Sequence, residues 1–286
     1  MSSTLTCDVC PHGCTLSPGA VGRCRARKYY SDNGEERIYP LNYGIVTSLA
    51  LDPLEKKPLR LFHPGSYILS VGSFGCNLSC PFCQNHSISA SSGNEFMTDD
   101  NRLSPEELVS IAVDTRGKGN IGIAFTYNEP LVGYEYVLDT SKLAKEVGLR
   151  TVLVTAGCIN RSVADKVLPY IDALNIDLKS FSPDVYRNTL GGDLDTVKAF
   201  IEAACVRCHV ELTTLIVPGM NDTEEEMLSI CDYISSLPDG RNIPLHISRF
   251  FPRYRMTDRP PTDVDKILKL HRLASSKLEH VFTGNI

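Results

Sequence analysis

Along most of the chain, short apolar runs alternate with stretches in which apolar residues recur at helical spacing. YILSVGSFG, residues 67–75, is a nearly continuous apolar run ending in small residues and reads as a buried strand. SPEELVSIAVDT follows at helical spacing, with Ser104 as N-cap, Pro105 in the first turn and Glu107 three residues beyond the cap, a capping-box start. IGIAFTY, residues 121–127, is the next strand, residues 131–147 a helix ended by Gly148, RTVLVTAG a strand, and NRSVADKVLPYI a helix stopped around Pro169. ALNIDLK then reads as a strand, SPDVYRNTL and DTVKAFIEAAC as one interrupted helical stretch, and HVELTTLIVPG as a strand. NDTEEEMLSICDYISSL is an acidic-started helix, PLHISRF a strand, PTDVDKILKLHRLASSKL a final helix and VFTGNI a short last strand. Six strand-then-helix units imply parallel pairing with right-handed crossovers, hence α/β class, but the pattern leaves a barrel and a doubly wound sheet both open.

The front of the chain is different. In the connector of residues 25–66, ERIYPLNYGIVTSLALDP offers two strands, and EKKPLRLFHPG is a proline-studded loop with Lys56 and Lys57 as a solvated or loop-anchoring pair. The expected division is a cysteine-rich N-terminal extension and connector over residues 1–66 and a barrel core over residues 67–286. A length of 286 residues at 42% hydrophobic content suits one large domain plus a small appendage. The net charge of −5 argues against a sequence-independent hold on nucleic acid, which is therefore not an expected partner. Neither a membrane-length apolar run nor a signal peptide in MSSTLTCDVC is visible, so the expectation is a cytoplasmic protein without membrane contact. Eleven cysteines in such a reducing compartment are better explained as metal ligands and buried thiols than as disulfides.

Two groups of those cysteines carry the candidate chemistry. Cys76, Cys80 and Cys83 fall in a C-x3-C-x2-C spacing on the loop after the first barrel strand. Four thiols would close a tetrahedral zinc or a cubane [4Fe–4S] cluster, so three imply one position left open. A zinc knuckle that borrows His86 is the alternative. Cys7, Cys10, Cys14 and Cys24, set among prolines and glycines, form a second group suited to zinc or a further iron–sulfur centre, in which His12 could replace a thiol. Read without metal, they are reduced loop cysteines packed on the main domain. Cys158 and Cys231 read as buried apolar fillers, and Cys205 and Cys208 straddle a helix end and a strand start, a poor place for a shared metal.

CNLSCPFC resembles the cluster loop of the radical S-adenosylmethionine (SAM) superfamily, in which three cysteines hold a [4Fe–4S] cluster and SAM chelates the fourth iron. Over most of the chain, CPHGC, EKKPL, CNLSCPFCQN, NEP, DLK, LIVPGMND and HISRFFPRYRMTDRPPT resemble the AmmeMemoRadiSam-system group, relatives of the pyruvate formate-lyase activating enzymes. The resemblance implies a partial (β/α)6 TIM-like barrel. TYNEP is similar to the superfamily's Gly-Gly-Glu-Pro segment, with Tyr127 and Asn128 in place of the glycines, which implies SAM contacts by Asn128 and Glu129. NIDLK implies that Asp177 and Lys179 help hold SAM, Lys179 through its carboxylate, and PLHISRF implies His246 as a further contact. One departure lies at TAGC, where Val154 and Ala156 replace the Asp and Asn of the activating enzymes. Longer relatives also continue past a segment like VFTGNI into a cysteine-containing tail. The implied activity is reductive cleavage of SAM to a 5′-deoxyadenosyl radical that abstracts hydrogen. The implied partners are a one-electron donor such as flavodoxin or ferredoxin and, by analogy with the activating enzymes, a protein substrate. A non-catalytic iron–sulfur electron-transfer protein and a zinc-binding module are the competing readings.

Overall fold

A computed structural model of the chain describes residues 4–32 and 34–286. Two small antiparallel hairpins come first: β1 (Leu5–Thr6) with β2 (Thr15–Leu16), and β3 (Arg27–Asp32) with β4 (Glu35–Pro40). Of these, the alternation in the sequence marks β4 but not β3. β5 (Ser48–Pro53) leaves the connector and runs antiparallel to β6 (Tyr67–Gly72), the strand before the cysteine loop.

From β6 the strand–helix alternation holds. A four-residue helix α1 (His86–Ser89) and α2 (Pro105–Asp114) lead to β7 (Asn120–Phe125), and α3 (Tyr134–Glu146) to β8 (Arg150–Thr155). α4 (Arg161–Val167) leads to β9 (Ala173–Asp177), α5 (Leu194–Cys205) to β10 (His209–Ile216), α6 (Glu224–Ser236) to β11 (Leu245–Arg249), and α7 (Val264–Ser275) to β12 (Val281–Gly284). Ser104 accepts the Glu107 N–H while the Glu107 carboxylate accepts the Ser104 N–H, the reciprocal cap that starts α2. The stretch SPDVYRNTL takes a wider coil than an α-helix, a π-helix over Val185–Leu190 closed by Gly191 at φ 65°.

β5 to β12 lie side by side in chain order as one 8-stranded sheet, parallel from β6 onward. β5 and β12 are its two edges. This is the partial (β/α)6 barrel, with β12 added as a further parallel strand and β5 as an antiparallel one. The sheet's two faces separate by composition. Leu69, Val71, Phe125, Leu153, Ile176 and Leu212 share one large apolar cluster with helix residues such as Leu108, Val137, Ile201, Ile230 and Ile267. Ile68, Ala124, Val152 and Ala173, on the opposite face, pack instead on Leu54 and Leu59 of the β5–β6 loop. That loop is thus a plug inside the barrel.

Polar bonds fasten the plug. Asn175 of β9 donates Nδ2–H to the Pro58 carbonyl at 2.8 Å, and Glu211 of β10 accepts the backbone N–H of Arg60 at 2.9 Å and of Leu61 at 2.8 Å. The two lysines of the plug separate. Lys56 stays in water, while Lys57 is buried and donates to Asp52 Oδ2 at 2.9 Å. No helix among the described residues is long and apolar enough to cross a membrane.

Candidate functional site

β6 ends in Gly72, and the chain turns through Ser73, Phe74 and Gly75 into the cysteine loop, at the carboxyl end of the barrel. Gly75 has φ 89°, and a Cβ there would come within 2.7 Å of the Cys24 carbonyl and 2.8 Å of Ala26 Cβ. Only glycine allows this approach, which brings the N-terminal extension against the cysteine loop. The Cys76 N–H then bonds the Cys24 carbonyl at 3.2 Å.

The three cysteines of the loop fall in one electrostatic neighbourhood. Burial pushes the Cys76 thiol well up, and the Glu129 carboxylate and Cys80 add to it. Burial pushes Cys80 up to about 11, opposed by the Lys179 ammonium. Two sulfurs already have hydrogen-bond partners from the protein: Leu78 N–H to Cys76 Sγ at 3.4 Å, and the Ser89 hydroxyl with Cys83 Sγ at 3.2 Å. Metal-bound thiolates are tuned by such bonds.

Asn128, Glu129, Asp177 and Lys179 stand around this loop, each with a definite set of partners. The Asn128 side chain is used up on the loop itself: Oδ1 accepts the Ser73 N–H at 3.1 Å, and Nδ2 donates to the carbonyls of Phe74 at 3.2 Å and Gly75 at 3.1 Å. It sets the path of the chain into Cys76. Glu129 is 2% exposed, and its Oε1 accepts from the Thr155 hydroxyl at 2.7 Å and the Leu131 N–H at 3.2 Å. Oε2 accepts the Ala156 N–H at 2.8 Å and has a free lone pair. Burial outweighs these donors and raises the Glu129 pKa. Lys179 donates to Asp177 Oδ2 at 2.7 Å. Burial opposes its ammonium, but Asp177 and the Cys80 thiolate outweigh burial, so the pKa of Lys179 is raised.

Thr155 and Ala156 were not among the expected site residues, yet they fix Glu129. The sequence carries no signal for this, because one of the two donors is a main-chain N–H that any residue supplies. Tyr127, in the place of the first family glycine, keeps a glycine-like φ of 73°. Its ring lies over Gly72, where a Cβ would be only 2.7 Å from Tyr127 Cδ2, and its hydroxyl donates to Asp52 at 2.9 Å inside the barrel.

His246 is on the barrel's inner face. The strand registers put Asp177 opposite Thr213 and Thr213 opposite His246, so the three align across β9, β10 and β11. The His246 Nε2, however, is engaged by Glu211 Oε2 at 2.6 Å, and Glu211 also bonds His209 at 2.9 Å. The N-terminal cysteines form a second group: burial pushes Cys10 up to about 11, and the charges of Cys24 and Cys7 act on it in the same direction. His12 is turned to the Asn77 carbonyl at 2.8 Å.

Among the described residues, no three His, Cys, Asp or Glu side chains converge on a point that a single metal ion would fill. A cubane asks for less convergence, since each iron takes its own thiol. The soft donor set of the loop and its donors to sulfur therefore fit a cluster, though thiolates suit zinc as well.

The Radical SAM superfamily model matches residues 70–234 of this chain. The uncharacterized protein MJ0808 of Methanocaldococcus jannaschii is 38% identical over 98% of this chain and 81% of its own length. A pyruvate formate-lyase-activating enzyme of Clostridium pasteurianum is 25% identical over 72% of this chain and 89% of its own. Among solved structures, Streptococcus suis SuiB bound to S-adenosylmethionine covers 77% of this chain and 52% of its own at 12% identity, with a TM-score of 0.57. The same protein bound to precursor peptide SuiA covers 82% of this chain and 51% of its own at 13% identity, again with a TM-score of 0.57. At those identities the likeness is one of fold.

Proposed function

The chain belongs to the radical SAM superfamily, and from that premise we propose that Cys76, Cys80 and Cys83 hold a [4Fe–4S] cluster with one iron open to SAM. Cluster and SAM together would supply reductive cleavage of the sulfonium and hence a 5′-deoxyadenosyl radical that takes a hydrogen atom from a substrate. The observation that carries the reading is that Cys76 lies within reach of Glu129 and Cys80 within reach of Lys179 and Asp177, with Cys83 beside both cysteines. No zinc knuckle or simple electron carrier requires that set of charges.

Each residue has a task in this reading. When SAM is bound, the free lone pair of Glu129 Oε2 would take the methionine ammonium in a charge-assisted bond, and Lys179, held by Asp177, would take its carboxylate. Asn128 acts one step back, by pinning Ser73, Phe74 and Gly75 so that Cys76 is presented correctly. His246 and Thr213 line the inner face beside Asp177, on the side where SAM would lie. The plug residues Leu54 and Leu59 close the lumen to water from below.

The hydrogen donor is a segment of a partner protein that enters between the unpaired edges β5 and β12. Support comes from the activating-enzyme relatives and from the peptide-bound neighbour of the same fold. For Cys7, Cys10, Cys14 and Cys24 the reading is a second centre that would fasten the extension to the barrel; Cys7 and Cys24 are near enough to act on Cys10, although the four do not converge on a single metal ion. Zinc and iron analysis of the Cys7→Ser and Cys10→Ser variants tests that point separately.

The decisive experiment is anaerobic. The protein is reconstituted with iron and sulfide, given SAM and dithionite, and 5′-deoxyadenosine is quantified beside a Cys80→Ala control. Product that disappears in the control is expected. A protein that takes up no cluster would overturn the reading and return the loop to zinc.

A further inference from the structure

β9 ends at Asp177, so the main chain of Lys179 lies beyond the sheet's hydrogen-bond ladder and has to find its partners elsewhere. Its carbonyl accepts the Asn221 Nδ2–H at 2.8 Å, and its N–H donates to the Tyr186 hydroxyl at 3.1 Å. Tyr186 is fully buried and stands in the π-helix Val185–Leu190, a coil of a kind that is rare and collects at functional sites. Its own main chain is tied at both groups. The Tyr186 N–H donates to the Ser182 carbonyl at 3.1 Å, and the Tyr186 carbonyl accepts the Gly192 N–H at 2.8 Å. The hydroxyl is thus a fixed acceptor, and the residue it holds is Lys179.

The far end of the same π-helix grips the cysteine loop. The Leu190 carbonyl accepts the Ser79 N–H at 2.8 Å and the Ser79 hydroxyl at 3.3 Å, one residue ahead of Cys80. The approach is close, since a Cβ on Gly192 would come within 2.5 Å of Leu78 Cδ2. One short coil therefore fixes Lys179 at one end and the chain entering Cys80 at the other. A lysine ammonium is carried by its own main chain, so this strut sets where the Lys179 ammonium stands relative to the loop.

We propose that Tyr186 is a positioning residue for SAM, acting through Lys179. Its hydroxyl holds the Lys179 main chain at a set distance from the cysteine loop, so that the ammonium, braced by Asp177, meets the carboxylate of the methionine moiety. This inference rests on the functional reading above and adds the residue that places Lys179. Removing the hydroxyl leaves the Lys179 N–H buried without a partner, and the main chain has to shift to find one. The Lys179 ammonium would move with it. Glu129 would not, because Thr155 and Ala156 hold it from the end of β8. The loss therefore falls on recognition of the carboxylate and spares the rest of the ligand. A tyrosine that merely supported the fold would weaken every contact together.

The test compares SAM with its decarboxylated analogue, S-adenosyl-3-methylthiopropylamine, on reconstituted holoprotein. Binding is measured by equilibrium dialysis without reductant, so that turnover plays no part. Wild type should prefer SAM by about tenfold or more. Tyr186→Phe should bind SAM about tenfold more weakly and the analogue as wild type does, with iron content unchanged. Lys179→Met should lose the same preference, and adding Tyr186→Phe to it should weaken SAM no further, because the two act as one unit. A Tyr186→Phe protein that keeps the wild-type preference overturns the proposal while leaving Lys179 in its role. An equal loss of both ligands also overturns it, by making Tyr186 a support of the fold. If Lys179→Met keeps the preference, or wild type takes up no cluster, the functional reading itself fails and this inference with it.

Discussion

Lys56 and Lys57 are neighbours in the sequence with opposite fates. Lys57 is buried, bonds Asp52 at 2.9 Å and lies 4.6 Å from the centre of the Tyr127 ring, while Lys56 reaches the same Asp52 at 3.2 Å from the water side. Burial lowers the Lys57 pKa, and Asp52 works against that. Lys57→Met should cost about 2 kcal/mol in urea unfolding, because it removes the buried cation and leaves Asp52 with only the exposed Lys56 and the Tyr127 hydroxyl, whereas Lys56→Met should be near neutral. Nothing local separates the two lysines, and both bond Asp52; the difference is made by a tyrosine seventy residues downstream, which covers Lys57 alone. The cysteine loop is the opposite case, legible because its three cysteines are close together in sequence. Gly75 belongs with Lys57, since what it excludes is the Cys24 carbonyl from the distant amino terminus. Gly75→Ala should keep the fold by circular dichroism but reduce cluster content on reconstitution by more than half.

The elements follow the sequence where their causes are local. The α2 cap needs only Ser104 and Glu107, and each barrel strand announces itself as an apolar run between turn residues. The plug between β5 and β6 was not legible as a plug, because its fixings are single polar residues on remote strands. Glu211 is the main one. Burial alone would raise its pKa, but His209, His246 and the N–H groups of Arg60 and Leu61 outweigh it and lower the pKa from 4.5 to about 2. A carboxylate with a lowered folded pKa stabilises fully above its unfolded value, and the contribution fades as pH falls through the folded one. Between pH 4.5 and about 2 the plug should therefore lose about 3 kcal/mol of anchoring. Melting temperature measured down that range should drop more steeply for wild type than for Glu211→Gln, which begins lower and has no carboxylate to protonate there. Equal slopes would remove Glu211 from the account of acid sensitivity.

At the scale of the whole molecule, the question is why a short cysteine-rich extension is carried at all. It cannot bury a core by itself, and it docks on the barrel near the cysteine loop: the Asn77 carbonyl bonds His12, Asn160 bonds the backbone of Asp8 and Val9, and Cys24 touches Gly75 and Cys76. One ion pair outside the cysteines ties it down. Arg27 of β3, 5% exposed, donates from Nη1 to both carboxylate oxygens of Glu135 of α3 at 2.7 and 2.8 Å and donates to the carbonyls of Val132 and Ile38. Glu135→Gln leaves a buried guanidinium short of its counter-charge and should cost about 3 kcal/mol, the lower end for a broken buried pair because Glu135 is partly exposed. If the extension serves to shield the cysteine loop, the cost should be local. Hydrogen exchange should rise over residues 4–32 ahead of β8 and β9, and the reconstituted protein should lose its visible absorbance in air faster than wild type. A uniform rise in exchange across the barrel, with bleaching unchanged, would instead make the extension a support for the whole fold.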